Sequence, residues 1–199
     1  MRLKVWLAVC AILLPSVLIA QEKPKQPEMS PQEKAAMEAM MKAATPGDAH
    51  KKLAPIVGTF DAAVRMYAQP GAPAQESTGV SEKTWVLGGR WVQERFNGTF
   101  MGMPFSGIGY TGFDNIKKQY VGTWMDSMST SVMITTGSPT GDKTYEFNST
   151  MDDPVTGKPT ALKIRSTVVD DDHHIMEMWG PAPDGRMFKM MEIAYTRKK

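Results

Sequence analysis

The 199-residue chain carries 23 Lys and Arg against 21 Asp and Glu, and two of the cations, Arg2 and Lys4, stand at its extreme N-terminus. Without those two the charges balance, and no Lys/Arg-rich segment suits the phosphate backbone, so we expect no nucleic-acid partner. The single cysteine, Cys10, lies in the N-terminal apolar segment. The rest of the chain therefore offers no thiolate for a disulfide, a nucleophile or a metal.

Residues 1–20 have the zones of a secretory signal peptide. Arg2 and Lys4 precede the apolar stretch Val5–Leu14, and Ala20 stands before a polar segment. The apolar stretch is shorter than the roughly 20 residues of a membrane span, so we expect no transmembrane anchor in the mature form. The sequence predicts an exported protein, periplasmic or secreted, cleaved after Ala20, with residues 21–29 as a polar linker.

A helix is predicted for the next segment, residues 30–45. Ser30 is a suitable N-cap, Pro31 the first helical residue and Glu33 the partner of a capping box, so the helix should run from Pro31 to Ala44. Its apolar face places the side chains of Met37, Met40, Met41 and Ala44 at helical spacing. A face of this kind is expected to pack on another surface.

The remaining domain, residues 48–199, is predicted to be mainly β. From Gly58 the apolar period changes to two, and turn signals at regular intervals divide residues 58–197 into about ten strands. No helical period is long enough for a parallel crossover, which favours a closed antiparallel β-barrel. An open two-sheet sandwich is the alternative, and pairing between the first and last strands decides between the two.

Five segments form a further pattern: His50 to Asp61, Gly102-Met103-Pro104-Phe105, Gly112-Phe113-Asp114-Asn115, Trp124-Met125-Asp126-Ser127-Met128 and Asp170-Asp171-Asp172-His173-His174. Together they resemble the bacterial family known as domain of unknown function 1579, over residues 48 to 197. Family members usually have Trp at the position of Phe60 and Tyr at that of Phe113. The resemblance implies a bacterial domain but brings no established activity.

A second similarity concerns the opening of the first strand. Leu53, Gly58 and Phe60 resemble the Gly-x-Trp opening of lipocalin-like barrels. The similarity implies a barrel that holds small apolar ligands inside, and it is an analogy of fold alone.

One strand face is the best candidate for a ligand site. Tyr120, Gly122, Trp124 and Asp126 alternate along the chain, so the glycine leaves space between two aromatic rings and the carboxylate ends the row. Phe60, Val64, Phe105 and Met176 are expected beside them. We predict a non-catalytic binding module for a small apolar or amphipathic molecule; the alternative is that these side chains simply fill the core.

The segment Asp170–His174 concentrates carboxylates and imidazoles, but His173 and His174 should point to opposite faces of a strand. We therefore predict no metal site and no cofactor. His174 shares a face with Met176 and Met178, so a haem-like cofactor bound by His174 is an alternative.

Two further alternatives concern other classes of function. The carboxyl groups that could serve an enzyme are Glu94, Asp126, Asp152, Asp153 and Glu192, but the sequence contains no recognisable catalytic motif and we predict no catalytic residue. An interaction protein is the other alternative, in which Met37, Met40 and Met41 dock on a partner. The sequence leaves the oligomeric state open.

Overall fold

A computed structural model describes residues 29–153 and 156–199, and the predicted signal peptide and most of the predicted linker lie outside these ranges. Within the described ranges, three helical segments precede the strands. They are α1 (Pro31–Ala44), α2 (Asp48–Lys51) and a 3₁₀ turn (Ala54–Ile56). No helix in the described ranges has both the length and the apolar character needed to cross a membrane.

Ten strands follow in the part of the chain that the structure describes, as the alternation predicts. They are β1 (Gly58–Met66), β2 (Gln75–Val86), β3 (Trp91–Phe100), β4 (Met103–Asp114), β5 (Gln119–Asp126), β6 (Met133–Pro139), β7 (Thr144–Asp152), β8 (Pro159–Val168), β9 (His173–Pro181) and β10 (Met187–Arg197).

The strands form a closed antiparallel barrel. Each strand pairs with the next in sequence, and β1 also pairs with β10, from Phe60 opposite Arg197 to Met66 opposite Met191. This last pairing excludes the open sandwich. The closure leaves no sheet edge exposed, which removes the aggregation hazard of an unpaired strand.

One end of the barrel is covered by the segment that leads into β1. The buried side chain of Leu53 packs with Tyr120 and Tyr145, and the Tyr120 hydroxyl donates a 2.8 Å hydrogen bond to the Ala49 carbonyl oxygen. His50 is also buried here, with its Nδ1 accepting from the Gly47 amide. We call this the closed end and the opposite one, where β1 finishes and β2 begins, the open end.

Helix α1 forms where predicted, but its expected packing is wrong. Ser30 and Glu33 make the capping box, yet no residue of the helix is buried. The side chains of Met37, Met40 and Met41 are 43%, 63% and 62% exposed, and Ala44 is exposed as well. The helix lies beyond the barrel because α2 and the 3₁₀ turn already occupy the closed end.

Among the described residues, Asn115 ties α1 to the barrel through its side chain. Asn115, in the turn between β4 and β5, donates from Nδ2 to the carbonyl oxygens of Ala43 at 3.0 Å and Thr45 at 2.8 Å. The preceding Asp114 shapes that turn by accepting from the amides of Ile116 and Lys117. The Asp-Asn pair therefore closes a hairpin and holds the end of the helix.

Candidate functional site

The seven predicted ligand-site residues all lie on the inner face of the barrel. Phe60, Val64 and Tyr120 are buried, and the register pairs Trp124 with Gly109 and Asp126 with Gly107 on the facing strand. Phe105 and Met176 are half-buried and, like Trp124, pack against the same core cluster as Phe60 and Val64. Tyr120 is separate from them, because it belongs to the cluster at the closed end.

Trp124 is held against the wall by its neighbours. Its indole lies over Gly107 and Gly109, where an added Cβ would meet the ring. The indole Nε1 donates a 3.0 Å hydrogen bond to Oδ2 of Asp126, whose Oδ1 accepts from the Met128 amide at 2.9 Å. Asp126 thus fixes the orientation of Trp124, which sequence reasoning did not foresee.

The inner face towards the open end is apolar and only partly covered. Met66, Phe105, Trp124, Met176 and Met191 are half-buried and pack on the fully buried core beneath them. Buried core residues normally exclude water, so partial exposure of five inward side chains indicates that solvent reaches this half of the interior. We call these five residues the open-end lining.

A polar cluster lies deeper in the barrel, centred on a buried lysine. Lys83 is 6% exposed; its Nζ lies 2.9 Å from His174 Nε2 and 3.6 Å from Glu94 Oε1. The same ammonium lies 3.9 Å from the centre of the Tyr195 ring. Glu94 also accepts from the Ser81 hydroxyl at 2.6 Å. We call Ser81, Lys83, Glu94, His174 and Tyr195 the polar cluster.

Burial controls the protonation of the polar cluster. Burial, aided by the charges of Lys83 and Arg197, lowers the pKa of His174 to about 2. Burial also lowers the pKa of Lys83, although the Glu94 carboxylate opposes that shift, and it raises the pKa of Tyr195. His174 is therefore neutral at physiological pH, and a Lys83 ammonium that donates to Nε2 places the imidazole proton on Nδ1.

The contacts of Lys83 leave it little capacity for another partner. An ammonium has three N–H donors, and His174, Glu94 and the face of Tyr195 surround this one. His174 is itself stacked on Tyr195, with ring centres 4.3 Å apart, and contacts the edge of Phe60. The polar groups of the polar cluster therefore satisfy one another. The cluster forms the floor beneath the open-end lining.

Arg197 covers the polar cluster on the side of the closed end. Its guanidinium donates to the carbonyl oxygens of Pro55, Val57 and Asp171 at 2.8 to 2.9 Å and lies 4.6 Å from the centre of the Phe60 ring. Gly58 has a φ of 139°, and a Cβ there would meet the Arg197 guanidinium. The Gly-x-aromatic opening of β1 therefore serves to admit Arg197 beside Phe60.

The histidines of the acidic segment behave as the alternation predicts. His173 is exposed and its Nδ1 lies 2.8 Å from Asp170 Oδ1, whereas His174 is 3% exposed and points inward. Nε2 of His174 is already bound to Lys83, so an axial bond to a haem-like cofactor from that atom requires the Lys83 contact to break.

Three of the candidate carboxylates are distributed over both faces of the barrel. Glu94 and Asp126 face inward, while Glu192 forms an ion pair with Lys189 on the barrel exterior. In the described part of the chain, no three His, Cys, Asp or Glu side chains approach closely enough to share a metal ion.

The described residues also form clefts on the outer surface. One of about 170 Å³ separates the end of α1 from β4 and is lined by Trp91, Phe113 and Asn115 among others. Another, of about 360 Å³, lies over β6 and β7 beside Val132 and Ile134. The first contains the aromatic rings of Trp91 and Phe113, and the second is lined mainly by Thr, Ser and Asn side chains.

Comparison with solved structures gives a match that supports the fold. Over 78% of this chain and 100% of the other, the fold is similar to that of Rv2717c from M. tuberculosis, with a TM-score of 0.56 and 17% sequence identity. A redesigned beta barrel matches 79% of this chain and 96% of its own, at a TM-score of 0.39 and 14% identity. At 17% identity the likeness to Rv2717c concerns the fold alone. The TM-score of 0.39 for the redesigned barrel is too low to support a conclusion.

The search of curated proteins gives no significant match. The scan against protein families matches the model described as a protein of unknown function, DUF1579, over residues 45–197. This range takes in the closed-end segment and all ten strands. The chain therefore belongs to the DUF1579 family.

Proposed function

We propose that this protein binds a small apolar or amphipathic molecule in the open half of its barrel. The observation that supports the proposal is the open-end lining, in which five apolar side chains face inward and remain only half-buried. Three of the five are methionines, whose unbranched side chains rearrange readily and can move aside for a ligand. Trp124, fixed by Asp126, supplies a rigid flat surface against which the ligand packs.

The charged groups near the open-end lining indicate which ligands the site prefers. Asp126 is a charged group beside the lining, and Lys83 below is occupied by its own partners. A carboxylate at this position repels an anionic head group and tolerates a neutral or cationic one. The preferred ligand is therefore an apolar body with a neutral or positive polar end near Asp126.

Two naphthylamine dyes of the same scaffold test this preference. N-phenyl-1-naphthylamine is neutral, whereas 1-anilinonaphthalene-8-sulfonate is anionic, and each becomes fluorescent on leaving water. The neutral dye should bind more tightly than the anionic dye, and Asp126→Asn should reduce the difference in affinity between the two dyes. Equal binding of both dyes by the unaltered protein would remove the role assigned to Asp126.

A pair of tryptophan variants locates the bound dye. Trp124 faces inward, whereas Trp179 lies on the exterior, where Arg165 stacks on it at 5.2 Å. Trp124→Ala should weaken binding of the neutral dye by about tenfold, equivalent to about 1.4 kcal/mol, and Trp179→Ala should leave it unchanged. Undiminished binding by the Trp124→Ala protein would place the dye elsewhere.

The exposed face of α1 supports a second candidate function. Met37, Met40 and Met41 form an apolar stripe on a helix that buries no residue, and stripes of this kind mark protein contacts. Replacing the three by glutamate should abolish any self-association seen by sedimentation velocity and leave dye binding unaltered. A monomer at all concentrations would exclude self-association through this face.

Export is part of the same proposal. A carrier or sensor of small amphipathic molecules suits a location outside the inner membrane, and the zones of residues 1–20 are those of a signal peptide. N-terminal sequencing of the protein from the periplasm or medium should begin near Gln21. A chain that keeps Met1 in the membrane pellet would contradict this location.

A further inference from the structure

Three neighbouring strands place methionines side by side on the inner face. In the register, Met66 of β1 is opposite Met191 of β10, and Met191 is in turn opposite Met178 of β9. All three are half-buried, and they share their inward face with Val64, Ile193 and His174, which are buried. Side chains opposite each other on paired strands have Cβ atoms about 5 Å apart, so the three flexible side chains can bring their sulfur atoms together.

A bulge adds a fourth sulfur to this row. The register of β10 against β9 shifts between Lys189 and Met191, which leaves Met190 as the extra residue. Its Sδ lies beside Gly180, only 2.6 Å from the place of an added Cβ, and Leu162 is next to the same position. Gly180 and Leu162 are both buried, so the sulfur of Met190 also reaches the interior.

The chemistry of this row is that of a soft, neutral donor set. Thioethers bind soft cations such as Cu(I) in preference to hard ones. The nearby carboxylates Glu177 and Glu192 are engaged by Lys189, and His174 is engaged by Lys83. A half-buried site with uncharged ligands suits a monovalent cation, because a divalent ion would bring two positive charges that no free anion among the nearby described residues balances.

We propose that Met66, Met178 and Met191 form a thioether site for a soft monovalent metal ion, Cu(I) or its analogue Ag(I), with Met190 available as a fourth ligand. The site does not depend on the proposed binding of an amphipathic ligand, although both lie in the open half of the barrel. No redox step is involved, because the ion binds in the monovalent state.

Silver is the probe, because Ag(I) needs no reductant. The full protein carrying Cys10→Ser, which removes its single thiol, is titrated with silver nitrate in chloride-free buffer and followed by calorimetry and native mass spectrometry; it should show one tight site per chain. The variant Met66→Leu/Met178→Leu/Met191→Leu should bind Ag(I) at least about tenfold more weakly. Leucine is close to methionine in volume, and far-ultraviolet circular dichroism checks that the barrel is retained.

The matched control removes three thioethers from another place. Met37→Leu/Met40→Leu/Met41→Leu alters the exposed stripe of α1 by the same chemistry and should leave the tight site unchanged. The proposal is overturned if Ag(I) does not bind, if the α1 variant loses the tight site, or if both variants weaken it equally. Dye binding by Trp124 is measured separately, so failure of either proposal is distinguishable from failure of the other.

Discussion

At the scale of residues, the polar cluster joins positions that are far apart in sequence. Lys83 and His174 are 91 positions apart, and alternation alone could place each on an inner face without indicating that they meet. The alternation predicts that His173 and His174 point to opposite faces, because a period of two assigns faces along one strand. Sequence reasoning missed Lys83 because the barrel register, which no local pattern encodes, decides which strands bring their side chains together.

The first prediction concerns His174 and pH. Its pKa is about 2 in the folded protein against an ordinary value of 6.5, so between these values the unfolded chain binds one more proton. The free energy of unfolding should therefore fall as the pH falls below 6.5, by at most about 1.4 kcal/mol per pH unit from this group. Burial lowers the pKa of His50 as well, which adds an effect of the same sign.

Urea denaturation at several pH values measures this dependence. His174→Gln keeps an acceptor for Lys83 but cannot take up a proton, so the variant should show a shallower slope between about pH 6.5 and pH 5. An identical slope in both proteins would mean that His174 does not resist protonation in the folded state.

The second prediction concerns the seat of Trp124. A Cβ on Gly107 would overlap the indole ring, so Gly107→Ala should displace Trp124, break its hydrogen bond to Asp126 and destabilise the fold by about 1 to 3 kcal/mol. Thermal unfolding and the Nε1–H resonance of Trp124 report the two effects. Gly141→Ala is the matched control, because a Cβ there makes only an ordinary contact.

At the scale of elements, the ten strands could be predicted and their covering could not. Alternating apolar residues and turn signals mark each strand locally, which is why about ten strands are predicted for residues 58–197 and ten are found in the described ranges. α2 and the 3₁₀ turn are too short for a helical period, and they were missed. The sequence therefore predicts, wrongly, that the apolar face of α1 packs on another surface. α2 and the 3₁₀ turn cover the closed end instead.

The third prediction concerns the tether of α1. Asn115 donates both hydrogen bonds that hold the end of this helix, and an aspartate has the same shape without the N–H donors. Asn115→Asp should loosen α1 and increase amide hydrogen exchange over Pro31–Ala44, with little change in exchange within the strands. Equal protection of α1 in the two proteins would show that the helix is held by other contacts.

At the scale of the whole molecule, closure depends on the meeting of β1 and β10. Composition and turn spacing predicted the barrel because they indicate many antiparallel strands without crossover helices. They could not predict the contents of the interior, since the division into an apolar open half and a polar floor follows from strand register. The role of Gly58 in admitting Arg197 is likewise visible only once the barrel is closed.

The fourth prediction concerns that closure. Gly58 combines a φ of 139° with a place where a Cβ would meet the Arg197 guanidinium. Gly58→Ala should therefore lower the free energy of unfolding by about 1 to 3 kcal/mol through backbone strain and should displace Arg197 from its carbonyl partners. Chemical denaturation measures the loss. A variant as stable as the unaltered protein would show that this end of the barrel accommodates the added Cβ without a loss in the free energy of unfolding.

Binding of a small molecule in the open half of the barrel is tested most directly by the methionine methyl groups. With ¹³C-labelled methionine, addition of N-phenyl-1-naphthylamine should shift the ε-methyl resonances of Met66, Met176 and Met191, which belong to the open-end lining. The resonances of Met37, Met40 and Met41, exposed on α1, should stay in place. Shifts confined to α1, or no shift at saturating dye, would contradict a ligand site inside the barrel.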